Sequence, residues 1–303
     1  MNVKTQFSIK DLENLSGVKA HTIRIWEKRY NLLCPDRTDT NIRTYDLENL
    51  KKLLNVSFLY HTGFKISKIA ELSESEIHRQ VLEEGTEQKE LLAINTFKTA
   101  MLDFDDELFS STYEELSKKR NFRDIFFNIF LPLLSEIGLL WQTDTINPAH
   151  EHFVSELIKQ KVIINIAKMR QAKSRSKKKV FVLYLPYQEI HEIGLLYANY
   201  EILSAGYRTI YLGNNIPLDS LQHVVNHYEH PIFLSYFTVK PDNQNLKDYV
   251  KEFNKKVGSS KKQPLWLMGQ KISELKGVRL PGNFRVIPDL DRLIAELQAL
   301  KKS

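Results

Sequence analysis

The spacing of apolar and polar positions divides this chain into regions of different character. Behind Ser8, a serine suited to cap a helix, Ile9, Leu12 and Leu15 recur three apart and predict a short helix. Ser16-Gly17-Val18 supplies a turn. In the run that follows, Ile23, Trp26 and Tyr30 share one helical face, and His21, Arg24 and Lys28 repeat that spacing on another. Helix, glycine turn and a second helix with one basic face make a helix-turn-helix pattern. The polar stretch from Pro35 to Tyr45 reads as a hairpin wing, after which Asp46 caps another amphipathic helix.

From Ser75 to Met169 the period stays helical, through Ile77, Val81 and Leu82, then Leu91, Ile94, Phe97 and Met101, then Leu108, Tyr113 and Leu116. Four or more helices with short connections predict a four-helix bundle. From Val180 onward short apolar runs alternate with helical patterns, which predicts a flavodoxin-like α/β domain built on a doubly wound parallel sheet. The expected organisation is multidomain: an α-helical winged helix-turn-helix at 1–75, a helical bundle at 76–170, a basic linker at 171–179 and the α/β domain at 180–303.

Composition adjusts this picture little. At 303 residues, 42% hydrophobic and 26% charged, the chain has the make-up of globular domains. No apolar run approaches the roughly 20 residues that span a bilayer, and the first residues have no apolar signal core, so a cytoplasmic, nucleoid-associated protein with no membrane partner is expected. The single cysteine, Cys34, excludes an internal disulfide and a cysteine-based zinc site. The net charge of +6 comes from one run, Lys168 to Lys179, that is basic at Lys168, Arg170, Lys173, Arg175, Lys177, Lys178 and Lys179 and contains no acid. Overall basicity is therefore weak evidence for nucleic-acid binding, and the local motif must carry it.

Two motifs carry chemistry. Glu189-Ile-His-Glu-Ile-Gly194 follows the apolar run 180–186 and precedes a helix, so His191 falls beyond the carboxyl end of a strand, where open α/β sheets bind ligands. Glu189 is spaced to orient the imidazole, and Gly194 allows close approach. Upstream, Trp141 and Glu151-His152 are spaced W-x9-E-H. An indole offers an apolar wall, and a carboxylate with an imidazole can bind a ribose or adenine. Zinc at His150-Glu-His152 is set aside, because adjacent helical positions point apart.

The stretch from Phe7 to about Glu71 resembles the DNA-binding module of the MerR family of transcription regulators. The resemblance is carried by Ser16-Gly-Val18, His21 to Tyr30, Leu33, Pro35, Arg37, Asn41, Arg43 and Tyr45. Its R-x-W-E-x-R-Y form, followed by Asn41-x-Arg43-x-Tyr45, is similar to the branch that contains CarA, CarH, LitR and MlrA. The resemblance implies that Thr22, Arg24, Lys28, Arg29, Arg37, Arg43 and Tyr45 approach DNA. The E-x-H-x-x-G loop resembles the cobalt-ligand loop of vitamin B12-binding domains, with Gly206, Leu212, Gly213 and Pro217 matching further on. It implies cobalamin as cofactor, in its adenosyl or methyl form. His191 would then be the lower cobalt ligand, with Glu189 and Gly194 in the same loop, and Ser235, Thr238 and Gly269 would lie around the buried nucleotide tail. W-x9-E-H is similar to the cap of such regulators and places Trp141, Glu151 and His152 on the upper face.

Two departures stand out. Gln142 occupies the position where light-sensing members often carry a histidine, and an amide is a poorer cobalt ligand than imidazole. Gln270 replaces the second glycine of the fourth strand's usual G-G and puts a side chain toward the tail pocket. The leading expectation is a non-enzymatic regulator, a repressor in the manner of CarA and CarH. Its occupancy of double-stranded promoter DNA is controlled by cobalamin bound between bundle and α/β domain, and it forms a dimer or a ligand-dependent tetramer. The other reading keeps DNA binding and makes the C-terminal half an oligomerisation or interaction scaffold without cobalamin. A cobalamin enzyme ranks third, since no second catalytic domain is seen.

Overall fold

In the computed structural model the described residues are 5–84, 89–172, 176–228, 230–242, 245–257 and 263–302. They form two compact units, Met1–Ile158 and Lys159–Ser303.

The first unit opens with α1 (Ile9–Ser16) and α2 (Ala20–Tyr30). Ser8 and Asp11 form a reciprocal capping box at the start of α1, and Gly17 takes the left-handed conformation that ends it. A hairpin of β1 (Asp36–Arg37) and β2 (Arg43–Thr44) is the wing, and α3 (Leu47–His61) follows behind the Asp46 cap. Leu12, Leu15, Ile23, Trp26, Leu33, Leu50 and Leu53 make the core of this module. Phe7 and Tyr45 exchange both backbone hydrogen bonds, at 2.8 and 2.9 Å, and tie the wing's exit to the chain ahead of α1.

The short α4 (Ile66–Ile69) and then α5 (Glu74–Glu84) lead to the helical segment. That segment comprises α6 (Lys89–Asp103), α7 (Asp106–Lys119), α8 (Phe122–Ile125), a π turn at Phe126–Phe130, α9 (Leu131–Gln142) and α10 (Pro148–Ala172). The helix Phe122–Gln142 is long and apolar enough by composition to cross a bilayer, which corrects the reading that no such run exists. Phe126, Ile129, Phe130, Leu133, Ile137 and Leu140 are buried along it, so it supplies core to this unit. The basic run does not form one continuous linker. Lys168 and Arg170 belong to α10, residues 173–175 lie outside the described residues, and Ser176 already begins a strand.

The second unit's sheet consists of β3 (Ser176–Pro186), β4 (Tyr207–Ile216), β5 (Ile232–Tyr236), β6 (Leu265–Met268) and β7 (Phe284–Val286). All pair in parallel in the order β4-β3-β5-β6-β7, the doubly wound arrangement that the sequence predicts. Alternation along β3 decides the two faces. Phe181, Leu183 and Leu185 pack with α11 (Ile193–Ser204) and α14 (Leu290–Lys302), while Val182 and Tyr184 pack with α12 (Leu221–His227) and α13 (Leu246–Lys256). Chain order reverses between β3 and β5, so the loops leaving these strands flank the crevice where such sheets bind ligands.

Candidate functional site

The loop after β3 is organised by one carboxylate. Glu189 is fully buried. Its Oε1 accepts from the backbone N–H of Ile190 at 3.0 Å and of His191 at 3.1 Å, and lies 2.6 Å from His191 Nδ1. Its Oε2 accepts from three successive backbone N–H groups of the loop after β5: Thr238 at 3.1 Å, Val239 at 2.7 Å and Lys240 at 2.8 Å. Burial alone would raise the Glu189 pKa. The His191 contact and the backbone donors outweigh it and hold the carboxyl well below the usual range, so this is an anion at neutral pH.

His191 presents its ring from that anchor with the side chain 51% exposed. With Nδ1 against a carboxylate, a metal on this ring would be held through Nε2, and the carboxylate fixes the ring's orientation. Around it Tyr187, Ile190 and Val239 are exposed apolar side chains. Sequence reasoning missed these three, since single apolar residues in loops have no period to betray them.

The remaining predicted cofactor residues divide into two groups. Gly194 opens α11 under the ring of Tyr236; a Cβ there would lie 2.6 Å from its Cζ. Ser235 is buried and donates to the Tyr184 carbonyl at 3.0 Å. Thr238 enters through its backbone N–H to Glu189. Gly269 has φ +101° and lies against the Phe237 backbone, whereas Gln270 is exposed at the start of a 3-10 turn. The His191 loop thus has a donor and an anchoring that would fit an imidazole-ligated corrin. The space beside Gly194 is filled by Tyr236, whose ring must shift before a nucleotide tail can enter there.

In the first unit Trp141 is 53% exposed at the end of α9, which removes a core role for it. His152 is exposed, and Glu151 accepts from Ser155 Oγ at 2.8 Å. His150 is buried and stacks on Phe104 at 4.8 Å, so it is a packing residue.

In the DNA module Arg24, Lys28, Arg29 and Arg37 are exposed and Thr22 partly so. Arg37 donates to Asn41 Oδ1 at 2.7 Å across the wing turn. Tyr45 corrects the expectation of a direct DNA contact. It is 0% exposed and its hydroxyl donates to Glu27 at 3.0 Å; burial and then that bond push its pKa up. Arg43 Nε donates to both Glu27 oxygens, at 2.9 and 3.2 Å. Glu27 of α2 therefore holds the wing by two of the residues predicted to touch DNA. Removing it in Glu27→Ala leaves the Tyr45 hydroxyl without its partner and is expected to cost about 1–3 kcal/mol of stability in denaturant titration. Tyr45→Phe, which removes that hydroxyl as well, should cost less.

Comparison with known proteins bears on the DNA module and on the helical segment, and the two family models end before the His191 loop. Residues 7–76 match the MerR HTH family regulatory protein model, and residues 93–164 match the B12 binding domain model. The chain is 27% identical over 226 residues to the HTH-type transcriptional repressor CarH of Myxococcus xanthus, covering 72% of this chain and 74% of that protein. It is 25% identical over 219 residues to the HTH-type transcriptional repressor CarA of the same organism, covering 71% and 70%. The fold is similar to that of the Methanosarcina barkeri monomethylamine corrinoid protein, with TM-score 0.56 at 10% identity over 68% of this chain and 96% of that one. Residues 7–76 are therefore a helix-turn-helix segment of the MerR type, and residues 93–164 a segment of the B12 binding domain type. The chain's likeness is to CarH and CarA.

Proposed function

We propose that this protein is a transcriptional regulator, most simply a repressor like its two named relatives, whose hold on promoter DNA is set by cobalamin. The observation that carries the reading is the half-exposed His191, locked through Nδ1 to the buried Glu189 at the carboxyl end of β3. His191 Nε2 would hold the cobalt, Glu189 would fix its tautomer, and Tyr187, Ile190 and Val239 would meet the corrin. Trp141, Glu151 and His152 are proposed for the cofactor's upper side. Bound cobalamin supplies a cobalt centre whose upper ligand can be exchanged. Gln142 in place of an imidazole argues against capture of that centre after light.

The proposed route from cofactor to DNA module runs through two contacts inside the first unit. Asn14, near the end of α1, donates to Thr145 Oγ1 at 2.8 Å, four residues beyond Trp141. Lys51 of α3 pairs with Asp103 of α6 at 2.9 Å. Both contacts join the helix-turn-helix to the helical segment. Coupling requires cobalamin to bind the DNA-competent and DNA-incompetent states unequally.

Anisotropy titration of a duplex selected from a random pool tests this, with the protein free and loaded with adenosylcobalamin in the dark. A change in affinity of at least about fivefold is expected, the lower end of ordinary coupling energies. In His191→Ala that change should vanish while the unliganded affinity stays. Equal affinities with and without bound cobalamin would remove the regulatory reading. The scaffold reading draws on Tyr236 over Gly194, and it predicts a protein that takes up no cobalamin at all.

A further inference from the structure

The crown of α2 carries an aliphatic side chain where every exposed neighbour is polar. With 3.6 residues per turn, the buried Ile23 and Trp26 define the inner side of this helix. His21, Ile25 and Lys28, spaced i, i+4 and i+7, form the stripe directly opposite, flanked by Arg24 and Arg29. Ile25 is 53% exposed at the middle of that stripe. A lone exposed isoleucine elsewhere would need no explanation. Here it occupies the centre of the second helix of a helix-turn-helix, the element that enters the major groove. The flanking cations suit phosphates and guanine edges. Ile25 has no hydrogen-bonding group, and the major groove offers it one apolar partner, the C5-methyl of thymine.

We propose that Ile25 is a specificity-determining residue that reads a thymine methyl group in the operator. This rests on the DNA-binding reading above and adds to it the kind of base recognised. The contact is apolar, so its strength should not follow salt, in contrast to the phosphate contacts of Arg24, Lys28 and Arg29.

The test uses the full-length protein and a duplex that it selects from a random pool. Each thymine of that duplex is replaced in turn by deoxyuridine, which removes the methyl and keeps the base-pairing edge. At one or two positions wild-type affinity should fall about fourfold, the value of one methylene-sized group buried. The drop should be the same at low and high salt. Ile25→Ala should bind the thymine duplex more weakly and be indifferent to deoxyuridine at those positions. Its melting temperature should equal that of wild type, because the side chain is outside the core. Indifference of the wild type at every position would overturn the proposal, as would equal losses in Ile25→Ala. So would a change in sedimentation of Ile25→Ala without DNA, which would assign the side chain to a contact between copies. A pool that yields no enriched duplex would overturn the DNA-binding reading itself, and this proposal with it.

Discussion

Glu189→Ala is expected to destabilise the α/β unit by on the order of 3–5 kcal/mol, the range for an ion removed from among its buried partners. The carboxylate accepts from five backbone N–H groups and meets an imidazole, on both sides of the crevice between β3 and β5. Alanine strips all six partners at once. Denaturant titration should show the loss, and hydrogen exchange should show Thr238, Val239 and Lys240 unprotected. Glu189→Gln keeps the shape but turns an amide N–H₂ toward N–H donors, so it should recover only part of the stability. The pH dependence has a definite sign. The folded-state pKa of Glu189 is depressed, so the unfolded chain binds the proton more readily. Its contribution is full above the ordinary glutamate range, about 4.3, and is lost as pH falls toward the depressed folded value. Acid titration of stability should therefore be steeper in wild type than in Glu189→Gln below about pH 4.5. Identical acid profiles would show that this carboxylate is not the anchor.

Gly269→Ala should cost a comparable amount by a different route. Gly269 has φ +101° and ψ 179°, a region that is essentially glycine's alone. An added Cβ would lie 2.3 Å from the Phe237 carbonyl oxygen and 2.6 Å from its nitrogen. That backbone cannot give way, because Phe237 N donates to Met268 O at 2.8 Å and its carbonyl accepts from Lys271 N at 3.1 Å. Strain and overpacking together come to about 3–5 kcal/mol. Gly194→Ala provides the contrast. The three atoms nearest its Cβ all belong to the ring of Tyr236, a side chain that can shift where backbone cannot, so the loss should be smaller. Thermal melts of the two variants that matched would contradict this account of the β5–β6 junction.

The sequence made the architecture legible wherever periodicity was strong. The unbroken apolar run 180–186, then the helical spacing after Gly194, placed His191 beyond a strand end. Tyr45 was misplaced because a tyrosine near arginines suits a phosphate contact equally well. The pairing of its backbone with Phe7 and the bond of its hydroxyl to Glu27 hold it inward. The three-amide nest at Thr238–Lys240 has no sequence signature at all, because its chemistry is main-chain. The division of the basic run between α10 and β3 was hidden because charge pattern masked the start of the strand. Gln270 was read as facing the pocket, yet the 3-10 turn that it opens carries it to solvent.

The central claim is that His191 ligates cobalamin. The most direct measurement is the visible spectrum of purified protein mixed with adenosylcobalamin in the dark and desalted, beside His191→Ala treated in the same way. The account predicts retained pigment with a histidine-ligated spectrum in wild type, and loss of that signature in the variant. Colourless wild-type protein, with methylcobalamin and hydroxocobalamin also failing to bind, would contradict it and leave the E-x-H-x-x-G loop with a structural role only.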